Sequence, residues 1–311
     1  MGAVRRFLKQ FLQFPADALI ASSKKLPAKI SDTVQRDPRL HDKFYPYEAD
    51  REFVLLRKAS RPDPNRGNRA LPLPPQDLWA GYGTTVEYFL NSGNVDVDTM
   101  KKVLVSCGFH IQDGGRLLDF GCGAGRMIRW FDDIVHRCEI WGVDISARHI
   151  MWCQNHLSPP FKFATVTTAP HLPYEDRYFD LIYCGSVFTH IADLADAWLL
   201  ELKRIVKPSG RLYITVHDKH TLDLIVNHPD KVYSDGLPVD SGFRNLLLSY
   251  DGVQKFMSLD FYMFAIGRGP NSQVFYDIDY LTQHWGRILN VVSITPEAYG
   301  YQTAIVLRNS S

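Results

Sequence analysis

Between Arg116 and Val216 the chain alternates short apolar runs with longer stretches of mixed polarity. Arg116–Phe120, Glu139–Asp144, Phe161–Thr165, Phe179–Cys184 and Arg211–Val216 read as strands. Arg126–Val135, the stretch after Asp144 through about Leu157, and Leu194–Ile205 read as helices. Such uniformly apolar runs suit strands covered on both faces, so the order predicts a mostly parallel α/β sheet with helices on either side. The alternation stops at His217. From there to Val274 the chain is punctuated by Gly236, Pro238, Gly242 and Gly252, and an aromatic run, Phe261–Phe264, is separated from Gln273–Tyr276 by the turn Gly267-Arg268-Gly269-Pro270. That pattern predicts an antiparallel pair within an insertion, 217–274, that covers a ligand. A short helix over Asp279–Trp285 and a closing strand pair, Ile288–Ile294 with Gln302–Leu307, complete the pattern.

Upstream, residues 62–75 are rich in Pro, Asn and Arg and end in Leu71-Pro72-Leu73-Pro74-Pro75. Proline fixes φ and removes an amide donor, which predicts an extended connector. Leu78, Trp79, Tyr82 and Tyr88 fit one helix, and Asp98–Gly108 a second. The expected division is therefore a basic extension with its connector over residues 1–76 and a main domain over 77–311. At the very start Val4, Phe7, Leu8, Phe11, Leu12 and Phe14 recur at helical spacing among Arg5, Arg6 and Lys9, up to Pro15. With Lys24, Lys25 and Lys29 nearby, residues 1–29 suit either peripheral contact with an anionic membrane or packing on protein. No apolar run approaches the roughly 20 residues of a membrane span. The expected location is the cytoplasm, with that peripheral contact as an option.

Charge sharpens this division. The 311 residues are 45% hydrophobic and 22% charged with net charge +1, an ordinary globular balance. Residues 1–70 hold 15 Lys or Arg against 8 Asp or Glu, whereas the rest hold 20 against 26, so the basic surface belongs to the front end. The five cysteines form no CxxC pair, which argues against a compact zinc site and a disulfide framework, and suits a reducing compartment. No continuous basic and aromatic platform marks the chain as a nucleic-acid binder.

The informative chemistry lies in Leu117–Arg126, Leu-Leu-Asp-Phe-Gly-Cys-Gly-Ala-Gly-Arg. A buried strand there runs into Gly121, Gly123 and Gly125, which permit a tight turn and close approach of a ligand to backbone. Asp144 ends the next strand, 21 residues after Gly123, where a carboxylate can accept hydrogen bonds from both ribose hydroxyls. A dinucleotide GxGxxG would need glycine where Arg126 stands. Asp119, just ahead of the turn, suits a cationic amino-acid group better than a pyrophosphate.

Leu118–Gly125 resembles motif I of the class I S-adenosylmethionine-dependent methyltransferases, and Trp141-Gly142-Val143-Asp144-Ile145-Ser146 resembles their ribose-binding acidic motif. Leu172–Asp176, Phe179–His190 and Glu201–Gly210 are similar to the later strand, active-site loop and turn of the family, so the resemblance runs closely over about residues 112–216. It implies a doubly wound, seven-stranded Rossmann-like sheet with an antiparallel last strand, here with an N-terminal helical extension and a cap inserted after strand five. It further implies S-adenosyl-L-methionine as cofactor: the methionine part near Asp119, Gly121 and Gly123, the ribose on Asp144, the adenine beside Ile145. Where many relatives carry an acid near the adenine amino group this chain has Thr168, whose hydroxyl can still hydrogen bond. Gly125 and Ser186 complete the expected cofactor set. Tyr82 is expected to reach the cofactor carboxylate from the segment before the sheet and Trp79 to seal the site, with anchoring of the connector to the core as the alternative for both.

For the reaction, His190 after strand four and His217 after strand five are the candidate bases, because neutral imidazole can take a proton near neutral pH. A loop-ordering role for His190 and an orienting or metal-binding role for His217 beside Asp218 are the alternatives, and no metal set is assigned. Phe261, Tyr262, Phe264, Tyr276 and Tyr280 offer aromatic lining. The expected acceptor is a hydroxyl of a small molecule, sugar or lipid-linked molecule, with an amine as the alternative. Cys184-Gly185-Ser186-Val187 stands where adenine and glutamine N-methylating enzymes carry Asn/Asp-Pro-Pro-Tyr/Phe.

Overall fold

The computed structural model describes residues 48–49, 54–55 and 71–310, except 235–236, 239–240 and 268–271. The N-terminal amphipathic segment and most of the connector lie outside the described residues. Two compact units are separated, Met1–Lys58 together with Ser146–Arg148, and the remainder. In the first, Glu48–Ala49 pairs antiparallel with Val54–Leu55.

In the second unit the strands are β1 (Arg116–Phe120), β2 (Glu139–Asp144), β3 (Lys162–Thr165), β4 (Phe179–Cys184), β5 (Val206–Asp218), β6 (Met263–Ile266), β7 (Gln273–Tyr276), β8 (Asn290–Tyr299) and β9 (Gln302–Arg308). The helices are α1 (Val86–Ser106), α2 (Ala147–His156), α3 (Ala195–Ile205), α4 (Lys219–Asn227), α5 (Ser241–Leu248), α6 (Asp251–Ser258) and α7 (Ile278–Trp285). The sheet runs β3-β2-β1-β4-β5 in parallel, then β9 antiparallel to β5, with β8 antiparallel to β9. These seven strands, with one antiparallel member, are the expected doubly wound α/β architecture.

Alternation along each strand explains the layers, since successive side chains point to opposite faces. Leu117, Tyr183, Tyr213 and Val306 enter one core with Met100 and Leu104 of α1. Their neighbours Leu118, Ile182, Ile214 and Ile305 enter the other with Trp198, Leu199 and Leu202 of α3. A third core belongs to the insertion, where Leu222 and Ile225 of α4 meet Leu247, Val253, Phe256 and Phe275. The insertion also extends the sheet. Its β6 and β7 pair antiparallel, as expected, with β6 two residues later than the aromatic run Phe261–Phe264, from Met263 with Tyr276 to Ile266 with Gln273, and β7 pairs in parallel with the end of β5 through Phe275–His217 and Tyr276–Asp218.

Three expected helices differ, the first in that Leu78 closes only a 3-10 turn, Gln76–Leu78, and Trp79 and Tyr82 lie in bends ahead of Val86. One helix, α1, replaces the separate helix expected from Asp98, capped by the Thr85 hydroxyl, which accepts the Tyr88 N–H at 3.2 Å. Its Gly93 is an internal contact point: a Cβ there would lie 2.5 Å from the Arg126 carbonyl oxygen. After the glycines, residues 126–135 make turns around a single 3-10 helix, Ile128–Phe131, instead of the continuous helix expected over Arg126–Val135. Tertiary bonds shape this stretch, the Arg129 guanidinium reaching the Leu71 and Pro72 carbonyls at 2.8 and 2.7 Å. The end of the Pro-rich connector has no ladder of its own, and side chains from the body supply its donors. Trp79 serves the same end, donating Nε1–H to the Pro74 carbonyl at 2.9 Å while stacking on Phe89 at 5.0 Å.

Candidate active site

The glycine loop leaves β1 at the carboxyl edge of the sheet. Gly121 N–H and Cys122 N–H both donate to the Val143 carbonyl (2.8 and 3.0 Å), which fastens the loop to β2. All three glycines have positive φ, at 87°, 51° and 81° for Gly121, Gly123 and Gly125. Their surroundings divide them. A side chain on Gly121 would collide with Val187, and one on Gly125 would lie 2.5 Å from Leu157 Cδ1, whereas Gly123 faces open space. Gly121 and Gly125 therefore serve packing, and Gly123 is where a ligand can approach the backbone. The Gly123 N–H donates to Asp144 Oδ2 at 2.9 Å, so the carboxylate at the end of β2 lies on the open part of the loop.

Asp119 is 2% exposed, and its Oδ2 has no hydrogen-bond partner of ordinary geometry among the described residues. Burial pushes its carboxyl up to about 8, against the opposing influence of the Tyr183 hydroxyl and the Arg126 cation. A dry, incompletely bonded acid beside a glycine turn is costly unless a cation completes it. Ile145 follows Asp144 half-buried against the core of the α3 face. Thr168 is exposed, two residues beyond Val166, whose N–H donates to the Asp144 carbonyl at 2.9 Å.

The loop after β4 packs on the glycine loop through Val187. Ser186, in the left-handed region at φ 56°, is held by a buried polar set: its N–H donates to Thr215 Oγ1 at 2.7 Å, and Gln302 Nε2 donates to its hydroxyl at 2.8 Å. Four residues on, His190 Nδ1 lies 2.7 Å from the Ser272 carbonyl oxygen, and the Ser272 hydroxyl donates to the His190 carbonyl at 2.6 Å. His217, at the end of β5, is 3% exposed, stacks on Phe275 and Tyr301 at 5.0 and 5.7 Å, and has no hydrogen-bond partner on either ring nitrogen among the described residues. Burial, with a smaller contribution from His190, lowers it to about 3, so it is neutral at physiological pH. Among the described residues no three His, Cys, Asp or Glu side chains are grouped to hold a metal ion.

Residues 118–214 match the family described as a methyltransferase domain, over the same strands, glycine loop and acidic β2 end. Residues 118–214 are thus a methyltransferase domain of the S-adenosylmethionine-dependent kind. The methyltransferase YcgJ of Bacillus subtilis (strain 168), itself uncharacterized, is 31% identical over 154 residues, 45% of this chain and 59% of that protein. The sterol 24-C-methyltransferase erg6 of Schizosaccharomyces pombe is 26% identical over 158 residues, 49% and 40% of the two chains. The chain thus spans about half the length of the curated relatives it matches. Among solved structures, a 1,6-didemethyltoxoflavin-N1-methyltransferase of Burkholderia thailandensis with bound S-adenosylhomocysteine superposes at a TM-score of 0.45 with 14% identity, covering 70% of this chain and 79% of that one. The domain's cofactor is S-adenosylmethionine. The open Gly123 face, the Asp144 carboxylate beside it and the incompletely bonded Asp119 fit such a molecule, which carries a ribose and two cationic centres.

Next to this loop lies a network with no local sequence signal. Arg126 pairs with Asp96 of α1 at 2.7 Å and with the Tyr299 hydroxyl, and stacks over the Tyr82 ring at 3.9 Å. Tyr82 Oη in turn lies 2.6 Å from Tyr299 Oη. The structure engages Tyr82 with Arg126 and Tyr299. Thr215, Ser272, Tyr299 and Gln302 belong to the surroundings of the expected site residues and escaped notice, because their partners are 29 to 173 positions away.

Proposed function

We propose that the protein transfers a methyl group from S-adenosylmethionine to a hydroxyl of a small molecule, sugar or lipid-linked acceptor. What supports this reading is His190 on the loop after β4, which packs on the glycine turn through Val187, together with His217 at the end of β5, the strand next to β4. Asp144 receives the ribose hydroxyls, Asp119 faces the cationic methionine end, Gly123 lets the cofactor approach the backbone, and Ile145 and Thr168 line the adenine end. Bound S-adenosylmethionine supplies a methyl on a sulfonium, whose departure as a neutral thioether needs no acid. The protein's contribution is then alignment, exclusion of water and removal of the acceptor's proton.

The histidines divide these tasks. A carbonyl oxygen only accepts, so Nδ1 of His190 carries the hydrogen toward Ser272 and Nε2 holds the lone pair. His190 Nε2 takes the proton as the acceptor oxygen forms its bond to carbon. His217, weakly basic and dry, orients the acceptor by a neutral hydrogen bond. The insertion, 217–274, forms the wall over the acceptor. Relatives of the matched region are named for a sterol, for demethylmenaquinone and for phthiotriol dimycocerosates. That range supports acceptor choice lying outside the shared stretch.

The test is incubation of the protein with methyl-labelled S-adenosylmethionine and fractionated metabolite and lipid extracts, with mass spectrometry of the products. A labelled ether product formed by wild type, and reduced about 100-fold in rate with His190→Asn, is expected. A labelled amine product, or His190→Asn turning over at the wild-type rate, would overturn the hydroxyl-and-base reading.

A further inference from the structure

We propose that Ser272, on the approach to β7 in the insertion, is a positioning residue that sets the tautomer and orientation of His190; this rests on the proton-accepting role given to His190 above. Ser272 is 1% exposed and makes two reciprocal contacts with His190: its carbonyl oxygen faces Nδ1 at 2.7 Å and its hydroxyl donates to the His190 backbone carbonyl at 2.6 Å. One residue thus holds both ends of the histidine, main chain and ring. The backbone contact stops the 3-10 turn Phe188–His190 from moving away from β7, and the ring contact gives Nδ1 the hydrogen. Four residues along, Tyr276 Oη donates to the Ile191 carbonyl at 2.8 Å, so β7 grips the same loop at a second point.

β7 pairs with β5 beside His217 and bonds to the loop after β4, so it joins the two elements that carry the candidate histidines. A sheet ending at β5 would leave the His190 loop without these bonds. An imidazole whose Nδ1 is not engaged populates both tautomers, and only the form with hydrogen on Nδ1 presents Nε2 as the acceptor. The inserted hairpin is therefore part of the catalytic frame as well as a cover.

The experiment combines nitrogen NMR of 15N-histidine-labelled protein with turnover. In wild type, His190, assigned by its loss in His190→Asn, is expected as the Nδ1–H tautomer; Ser272→Ala, which keeps the carbonyl but removes the hydroxyl tether, is expected to show mixed tautomers. With S-adenosylhomocysteine affinity unchanged, Ser272→Ala should lower kcat about tenfold with little change in KM, and Ser272→Thr, which restores a hydroxyl, should recover most of it. Tyr276→Phe loosens the loop at its second point and should shift the His190 signal in the same direction without unfolding. An Nε2–H tautomer in wild type, or wild-type tautomer and kcat in Ser272→Ala, would overturn the proposal. The NMR arm requires no turnover, so an expected tautomer pattern alongside full activity of His190→Asn would fault the base reading, whereas the wrong tautomer faults the Ser272 assignment itself.

Discussion

Asp119 and His217 are both buried ionisable groups that burial drives to their neutral forms, in opposite directions along the pH scale. With its carboxyl at about 8, Asp119 is mostly protonated at pH 7 before a cation binds. A cationic cofactor favours the carboxylate, so binding should release a proton. Titration calorimetry of S-adenosylmethionine at pH 7 in buffers of different ionisation enthalpy should show that release in wild type and lose it in Asp119→Asn. His217 affects stability instead. Its folded value, about 3, lies below the ordinary 6.5, so its contribution is complete above pH 6.5 and is lost as pH falls from there toward 3. Over that window the slope is about 1.4 kcal/mol per pH unit, and His217→Phe, which keeps an aromatic ring between Phe275 and Tyr301, should flatten it in denaturant titrations. At this scale Asp119, Asp144 and His217 stand out in the sequence because each lies within or at the end of an apolar strand, while His190 stands out only as a histidine in the loop beyond one. Arg126 was legible only as a residue that breaks a dinucleotide pattern. Its partners, Asp96 and Tyr299, are brought to it by tertiary folding alone, 30 and 173 positions away.

Turns and helix contacts decide how the elements carry these residues. The strands and the closing hairpin were readable from alternation, since a side chain placed on the wrong face of this sheet would exchange one core for the other. The stretch 126–135 was not, because its apolar residues have a helical appearance while its backbone is governed by Gly125 in the left-handed region and by the reach of Arg129 to the connector. The long helix α1 joins Tyr88 to the stretch from Asp98, two parts expected in separate helices, and its Gly93 serves close packing against Arg126. Gly93→Ala should accordingly destabilise the fold by about 1–3 kcal/mol in denaturant melts despite the higher helix propensity of alanine. The glycine loop separates fold from ligand in the same way. Gly123→Ala costs about 1–2 kcal/mol for its left-handed φ and should mainly weaken S-adenosylhomocysteine binding, whereas Gly121→Ala, which also meets Val187, should lower Tm more severely.

Across the whole molecule, the parallel sheet brings the loops after β1, β2, β4 and β5 to one edge, where ligands bind in open α/β sheets. The donor side of this edge was legible in a continuous stretch of sequence, Leu117–Ile145, because one turn and one strand end build it. The proposed acceptor side was less so. It is assembled from β4, β5 and an insertion that both carries its own core of Leu222, Leu247 and Phe256 and adds β6 and β7 to the sheet. No helix among the described residues is long and apolar enough to cross a membrane. The basic segment 1–29 remains a proposed peripheral contact with anionic lipid, checked by liposome flotation of the full chain against a chain lacking those residues. The central claim is the cofactor site, and titration calorimetry with S-adenosylhomocysteine tests it most directly. Wild type should bind with a stoichiometry near one, and Asp144→Ala, folded by circular dichroism, should bind at least about tenfold more weakly, as loss of hydrogen bonds to a charged group implies. Folded wild type that does not bind, or Asp144→Ala that binds equally well, would contradict the account.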